Sequence, residues 1–265
     1  MSMNQSEVRF IDEYGYLIKK ELIDKNDISE MIEVVERYCI HYKPSFFSGL
    51  KWHETLFQER LITLRNTEST ITSKIYDAIQ ANSILHSILS RKKIISLVSE
   101  LLNTRKTNLT CSGAMLRMDY PFDRRNRLDW HLEQSYYTFN GAGREGMVIW
   151  IPLVDVSEKN GTIVIKEGSH LGNIDYKELG PSIQVGTLGV SEQFSTPDSL
   201  LDKFKTVTLE LSAGDCALFY MNTLHASGHN ISDSVRIVIG VRYHNSFSPS
   251  YRIVKLIPTE TKYDN

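Results

Sequence analysis

The sequence predicts a mainly β chain with flanking helices, an antiparallel barrel or jelly roll fronted by a helical N-terminal part. Before Asn103, apolar residues recur at helical spacing. After Asn103 the texture changes to short β-branched and aromatic runs punctuated by Gly, Pro, Asn and Asp, which is how an antiparallel barrel reads. The length of 265 residues, with 41% hydrophobic and 23% charged residues, lies close to globular averages and supports a sizeable core. One domain over 1–265 is therefore expected, helical over about 1–105 and jelly-roll over about 106–245.

In chain order, Ile28, Met31, Ile32, Val35 and Cys39 mark an amphipathic helix from Asn26 to about Tyr42, with Asn26 or Asp27 available as its N-cap. A second helical zone runs from about Glu68 to Leu102 and breaks near Asn82 and Ser83. Its stripe of Ile75, Ile79, Leu85, Ile88, Ile94, Leu97, Val98 and Leu101 should pack on the outside of a sheet. Strands are expected at Cys111–Tyr120, Met147–Leu153, Gly161–Lys166, Phe204–Leu211, Cys216–Tyr220 and Val235–His244. Leu171–Asp202 is rich in Gly, Ser and Pro without a clear period, and reads as a long insertion between strands, a common place for a lid or binding segment. No internal repeat interrupts this plan.

Charge and cysteine usage exclude several classes. A net charge of -2 offers no general basic field for nucleic acid and no polybasic tail for anionic lipid. Cys39, Cys111 and Cys216 are too far apart for a thiolate cluster or a disulfide framework. The opening residues lack a basic stretch followed by an apolar one, and no later segment reaches the ~20 apolar residues of a membrane span. A cytoplasmic monomer or homodimer acting on a small molecule is expected.

The chemistry concentrates in Trp130-His131-Leu132-Glu133. An imidazole and a carboxylate two positions apart on an extended strand face the same way and can share a metal. A second imidazole, His225, follows the strand ending at Tyr220. Two histidines and one carboxylate form the facial triad of non-haem iron(II) oxygenases, which leaves positions open for a chelating cosubstrate and dioxygen. The tripeptide alone is a weak signal; Arg236 strengthens it. Eleven residues beyond His225, Arg236 interrupts the apolar run Val235–Ile239, where an arginine is tolerated only with an anionic partner. A dicarboxylate cosubstrate would be that partner. A catalytic zinc site accepts the same three ligands, and a cupin-like protein could hold metal without turnover, but neither has a use for Arg236.

These pieces, with Phe10–Tyr16, Trp150–Leu153, Asn160-Gly161, Gly168-Ser169-His170, Ala213-Gly214-Asp215 and His225–Asn230, resemble the phytanoyl-CoA dioxygenase family in order and spacing. The resemblance implies a double-stranded β-helix whose mouth holds iron(II) and 2-oxoglutarate. It places His131, Glu133 and His225 as metal ligands, Arg236 on the distal carboxylate, and Ser227 and Trp150 beside the cosubstrate. It also implies use of O2 with release of succinate and carbon dioxide, and hydroxylation of a small metabolite or of an intermediate in an antibiotic or polysaccharide pathway. The family more often has Asp where this chain has Glu133; glutamate keeps the charge, so metal binding is expected to survive. The retained carboxylate speaks against the halogenases of the family, which replace it with a small residue.

Other residues carry plainer readings. His170 belongs to a turn after a strand rather than to the metal, and Asp129 and Asp215 to turn chemistry. Arg242 lies six residues beyond Arg236 on the same strand face and is expected near the rim, solvated. Arg124, Arg125 and Arg127 form a basic turn just before the metal motif. If they face the mouth, the substrate is anionic. Tyr136 and Tyr137, just past Glu133, are candidate substrate contacts, and His229 has no evident role.

Overall fold

Eight helices and ten strands form from these patterns among the residues described in this computed structural model, which are 3–124, 127–135, 143–174, 180–186 and 189–251. The helices come mostly first: α1 (Gln5–Tyr14), α2 (Lys25–Tyr42), α3 (Pro44–Phe47), α4 (Thr55–Thr67), α5 (Ser69–Gln80), α6 (Ser83–Leu89) and α7 (Lys92–Leu101), with only α8 (Asp198–Leu201) downstream. The strands are β1 (Tyr16–Lys19), β2 (Leu109–Asp119), β3 (Gly146–Pro152), β4 (Ile163–Lys166), β5 (Gly180–Gly186), β6 (Gly189–Ser195), β7 (Thr206–Thr208), β8 (Cys216–Tyr220), β9 (His225–Ser227) and β10 (Arg236–Asn245).

Capping explains the helix boundaries. The α1 N-terminus closes with a capping box, in which Asn4 accepts from the Glu7 amide and Glu7 from the Asn4 amide. The cap of α2 is Asp24, which accepts from the amides of Asn26 and Asp27, so neither residue expected from sequence holds that place. The break near Asn82 is real: its side chain caps α6 through the Ile84 amide. A further break before Lys92 divides the zone again. Helix α4 was not separately legible, because its buried face mixes Phe57, Leu61 and Leu64 with Gln58 and Arg65. Gln58 is held by Trp52 O and the Val235 amide, and Arg65 pairs with Asp123 at 2.9 Å.

Five antiparallel strands make the larger sheet in the order β1-β8-β3-β10-β2; the smaller sheet runs β7-β4-β9. Alternation sends Ile237, Ile239, Val241 and Tyr243 of β10, Met147, Ile149 and Ile151 of β3, and Cys216, Leu218 and Tyr220 of β8 into one core with the helices. The opposite faces, with Val148, Trp150, Ala217, Phe219 and Val238, meet Ile163 and Ile165 of the smaller sheet in a second core. This is the expected jelly-roll arrangement. It fixes the inner face of β10 as the even-numbered one, bearing Arg236, Val238, Gly240 and Arg242.

Two expected strands are shorter than read: the Phe204–Leu211 run keeps ladder pairing only over Thr206–Thr208, and the Gly161–Lys166 run only from Ile163. The Leu171–Asp202 insertion is more regular than its composition suggests. It contains the hairpin β5-β6 and the short α8. Among the described residues no helix is long and apolar enough to cross a membrane.

Candidate metal and cosubstrate site

A single backbone bridge brings the two imidazoles together. His131 donates its amide to His225 O at 3.0 Å and accepts from the His225 amide at 3.2 Å, so the segment before Glu133 lies against β9 with both side chains on one face. The Ser227 amide donates to Leu128 O at 2.9 Å, extending the same alignment. Glu133 is not on an extended strand, as the spacing suggested, but opens a 3-10 turn over Glu133–Ser135. Its longer side chain still returns to the imidazoles.

Both rings are oriented by the carbonyl two residues earlier. His131 Nδ1–H donates to Asp129 O at 2.6 Å and His225 Nδ1–H to Thr223 O at 2.9 Å, which leaves each Nε2 as the lone-pair nitrogen. Glu133 Oε2 lies 3.7 Å from His131 Nε2 and 3.4 Å from His225 Nε2. The three residues are 2%, 3% and 5% exposed, and their candidate donor atoms lie within 4.8 Å of one another. Glu133 Oε2 is buried without a hydrogen-bond partner. A buried, unsatisfied anionic oxygen facing two imidazole nitrogens is costly unless a cation sits between them, so these residues fit a divalent metal.

Electrostatics keep the set in its ligating form. Burial alone would raise the Glu133 carboxyl, but the Arg242 charge and the two histidines outweigh it and hold it well below the usual carboxylate range. Burial, with the neighbouring His131, pushes His225 down to about 4, so its ring is neutral. Arg242 is thus not at a solvated rim. It is buried, with Nε at 2.7 Å and Nη2 at 2.6 Å from Glu133 Oε1, and with Nη1 donating to Gly113 O at 3.0 Å. The even offset from Arg236 correctly gave its face; its depth was misjudged, because the sandwich interior continues past Gly240.

Arg236 lies on the same inner face, 3% exposed. Its Nη2 pairs with Asp119 Oδ2 at 2.6 Å, and Asp119 Oδ1 also accepts from Arg117 at 3.1 Å. The Arg236 Nε and Nη1 atoms are buried without hydrogen-bond partners. The Arg236 guanidinium lies 5.8 Å from the Trp150 ring centroid, and Trp150 itself is buried. Ser227 is half-buried on β9, two residues beyond His225. Asp119 was missed from sequence, although a carboxylate on the alternating apolar strand Leu116–Tyr120 demands a partner by the same logic as Arg236.

The remaining candidates divide. Arg124 is exposed, and Arg127 is half-buried and paired with Asp129 at 3.1 Å. Arg125, Tyr136 and Tyr137 lie outside the described residues. His229 is exposed; partial burial and then the charges of Arg127 and Arg124 depress its pKa, which groups it with the basic turn. His170 is structural, as read: it is buried, its Nε2 bonds Asp12 O at 3.0 Å, and its ring stacks on Tyr220. Asp215 accepts from the Glu21 and Ser212 amides and pairs with Lys20, which is turn chemistry.

Comparison with known proteins bears on the family and the fold. A family model described as phytanoyl-CoA dioxygenase (PhyH) matches residues 11–238. Peroxisomal phytanoyl-CoA dioxygenase of Rattus norvegicus is 25% identical over 244 residues, which are 90% of this chain and 67% of that protein. A probable alpha-ketoglutarate-dependent hypophosphite dioxygenase of Stutzerimonas stutzeri is 24% identical over 160 residues, 60% of this chain and 52% of that protein. The chain thus spans about two thirds of the first relative and about half of the second. Among solved structures, EctD from S. alaskensis with 2-oxoglutarate and 5-hydroxyectoine superposes with a TM-score of 0.61 at 13% identity, covering 95% of this chain and 82% of that one.

Proposed function

This chain belongs to the phytanoyl-CoA dioxygenase family of iron(II)- and 2-oxoglutarate-dependent oxygenases, and from that premise we propose that it hydroxylates a C–H bond of a small anionic metabolite or biosynthetic intermediate. The single observation that carries the reading is the pairing, on one interior, of the His131–Glu133–His225 donor set with Arg236, whose Nε and Nη1 have no hydrogen-bond partner. A metal binder or a zinc hydrolase has no use for a buried guanidinium edge; a dicarboxylate cosubstrate does.

In this reading, His131 Nε2, His225 Nε2 and Glu133 Oε2 hold the metal. Bound iron(II) supplies dioxygen activation coupled to oxidative decarboxylation of 2-oxoglutarate to succinate and carbon dioxide. Arg236 receives the distal carboxylate at Nη1, one of its two unpartnered nitrogens, and the Trp150 face beneath it excludes water. Ser227, on the His225 strand, adds a hydroxyl donor to the same carboxylate. Asp119 keeps Arg236 extended before the cosubstrate arrives.

Substrate charge is argued from the basic turn. Arg124, Arg125 and Arg127 precede the segment that bridges β9, and His229 joins Arg124 and Arg127 from beyond Ser227. Of the relatives, one is named for an oxyanion, hypophosphite. A carboxylate, phosphate or diphosphate on the substrate would pair with these arginines. Tyr136 and Tyr137 follow Glu133 and are proposed to contact the substrate's uncharged part.

The test is succinate release with iron(II), 2-oxoglutarate and oxygen across a panel of anionic and neutral metabolites. Anionic compounds should stimulate turnover, and neutralising Arg124, Arg125 and Arg127 together should weaken that stimulation while leaving the substrate-independent decay of 2-oxoglutarate intact. Stimulation by neutral compounds alone, indifferent to salt and to the substitutions, would sink the anionic assignment.

A further inference from the structure

Glu133 departs from the aspartate more usual in its family, and the way it is held gives that departure a reason. Both Arg242 contacts fall on one carboxylate oxygen, Oε1, at 2.7 and 2.6 Å, while the other oxygen, Oε2, faces the two imidazole nitrogens. The guanidinium is itself fixed. It sits on the inner face of β10, 8% exposed, and Nη1 donates to Gly113 O. That carbonyl is turned inward by an irregularity in β2: the β10–β2 register shifts between Gly240 and Arg242, and Gly113 takes a φ of 58°, which an L side chain adopts at a cost.

We infer that Arg242 is a positioning residue that engages one oxygen of Glu133 and so restricts the carboxylate to one-oxygen metal ligation through Oε2, which keeps coordination positions open for the cosubstrate and dioxygen. The physical case is short. A glutamate on a turn has one more rotatable bond than an aspartate and can offer a metal both oxygens. Two N–H donors on Oε1 make that approach costly, because chelation would break two charge-assisted bonds in a buried site. The same pair neutralises a carboxylate that would otherwise be buried with no cation before metal arrives.

The inference rests on the metal-site reading above, and cobalt(II) separates the two. The parent protein and the variants His131→Ala, Arg242→Met and Arg242→Lys are titrated with cobalt(II), with the visible d–d absorption recorded before and after addition of 2-oxoglutarate. Arg242→Met should bind cobalt with a weaker d–d band, as an added carboxylate oxygen raises the coordination number. Its affinity for 2-oxoglutarate should fall by about 10- to 100-fold, taking over the scale on which loss of a partner that orients a metal ligand lowers metal affinity or activity. Loss of cobalt from a variant with the parent's far-ultraviolet dichroism overturns the restriction to one oxygen, since an unheld Glu133 should then chelate the metal and not leave it. Arg242→Lys keeps the charge and one donor; it should lie between the two, and it decides the matter if the methionine variant does not fold. A purely structural role would lower the melting temperature while leaving the band and the 2-oxoglutarate affinity at parental values, and that result overturns the inference. Parent protein that binds no cobalt overturns both readings. Cobalt bound by the parent and lost in His131→Ala leaves the metal site standing whatever Arg242 does.

Discussion

Replacing Arg236 by alanine should abolish the preference for 2-oxoglutarate over pyruvate, an oxo-acid that lacks the distal carboxylate. The magnitude follows from the guanidinium's surroundings. It is 3% exposed, one nitrogen is committed to Asp119 at 2.6 Å, and two N–H groups remain for a ligand. Losing a desolvated, hydrogen-bonded charge pair costs ~2–5 kcal/mol. At 1.4 kcal/mol per factor of ten, that is roughly a 30- to 4,000-fold rise in the 2-oxoglutarate dissociation constant. Pyruvate, which never uses the fork, should bind the variant as it binds the parent. The assay is anaerobic titration of the iron(II) protein, following the weak visible absorption that metal and oxo-acid give together. Because Arg236→Ala also removes one of the two arginines that pair with Asp119, Asp119→Asn serves as the control: it weakens the internal pair but leaves the guanidinium, and should retain the preference. A folded Arg236→Ala protein that still distinguishes the two oxo-acids would refute the assignment of Arg236. Arg242 could not take over without releasing Glu133.

Two further outcomes test the folded state. Burial, and then the neighbouring His131 ring for one and the charge of Arg242 for the other, depresses His225 and His244 to about 4 from an ordinary 6.5. The unfolded chain therefore takes up protons that the metal-free folded chain refuses across that window, so stability is complete above it and falls as pH drops through it, on the order of 3 kcal/mol per group. Urea midpoints of metal-free protein should fall between about pH 7 and about pH 5, and His244→Gln should flatten the drop; a midpoint constant over that range would contradict the buried-neutral assignment. Gly161→Ala should be costly because its φ is +80° and an added Cβ would meet Gly228 O at 2.6 Å and Asn230 N at 2.7 Å, all backbone. Gly49 has the same φ with nothing within 4 Å, so a larger fall in melting temperature for Gly161→Ala than for Gly49→Ala isolates the close approach beside β9; equal falls would leave only the shared strain, ~1–3 kcal/mol.

Several elements could be read directly from sequence because their signals are local. The 3.6-residue stripe of Met31, Val35 and Cys39 and the two-residue alternation of Ile237, Ile239 and Val241 each report a face, and these faces are the ones buried together. The metal donors were legible because His-x-Glu and a distant His are scarce residue types in a fixed order, and Arg236 because a charge on an apolar strand requires a partner wherever the strand goes. Regularity was hidden where composition misled: the Gly-, Ser- and Pro-rich insertion forms a hairpin, since the backbone of one strand satisfies the other irrespective of hydropathy. In α4, buried Gln58 and Arg65 blurred the apolar stripe because their partners, Trp52 O, the Val235 amide and Asp123, lie in other elements.

By itself, then, the sequence determined the classes of element, the inward and outward faces of β10 and the residue types proposed for the metal and cosubstrate site. Depth and pairing were decided only in three dimensions. Nothing in the run from Arg236 to Asn245 tells whether Arg242 ends at the rim or inside, because that depends on how far the smaller sheet and the Glu133 turn cover the inner face. Likewise, Asp119 meets Arg236 across 117 residues of chain, and His131 meets His225 through one backbone bridge. Such contacts carry no local periodicity. They follow from strand order and register, which the packing of whole faces sets cooperatively.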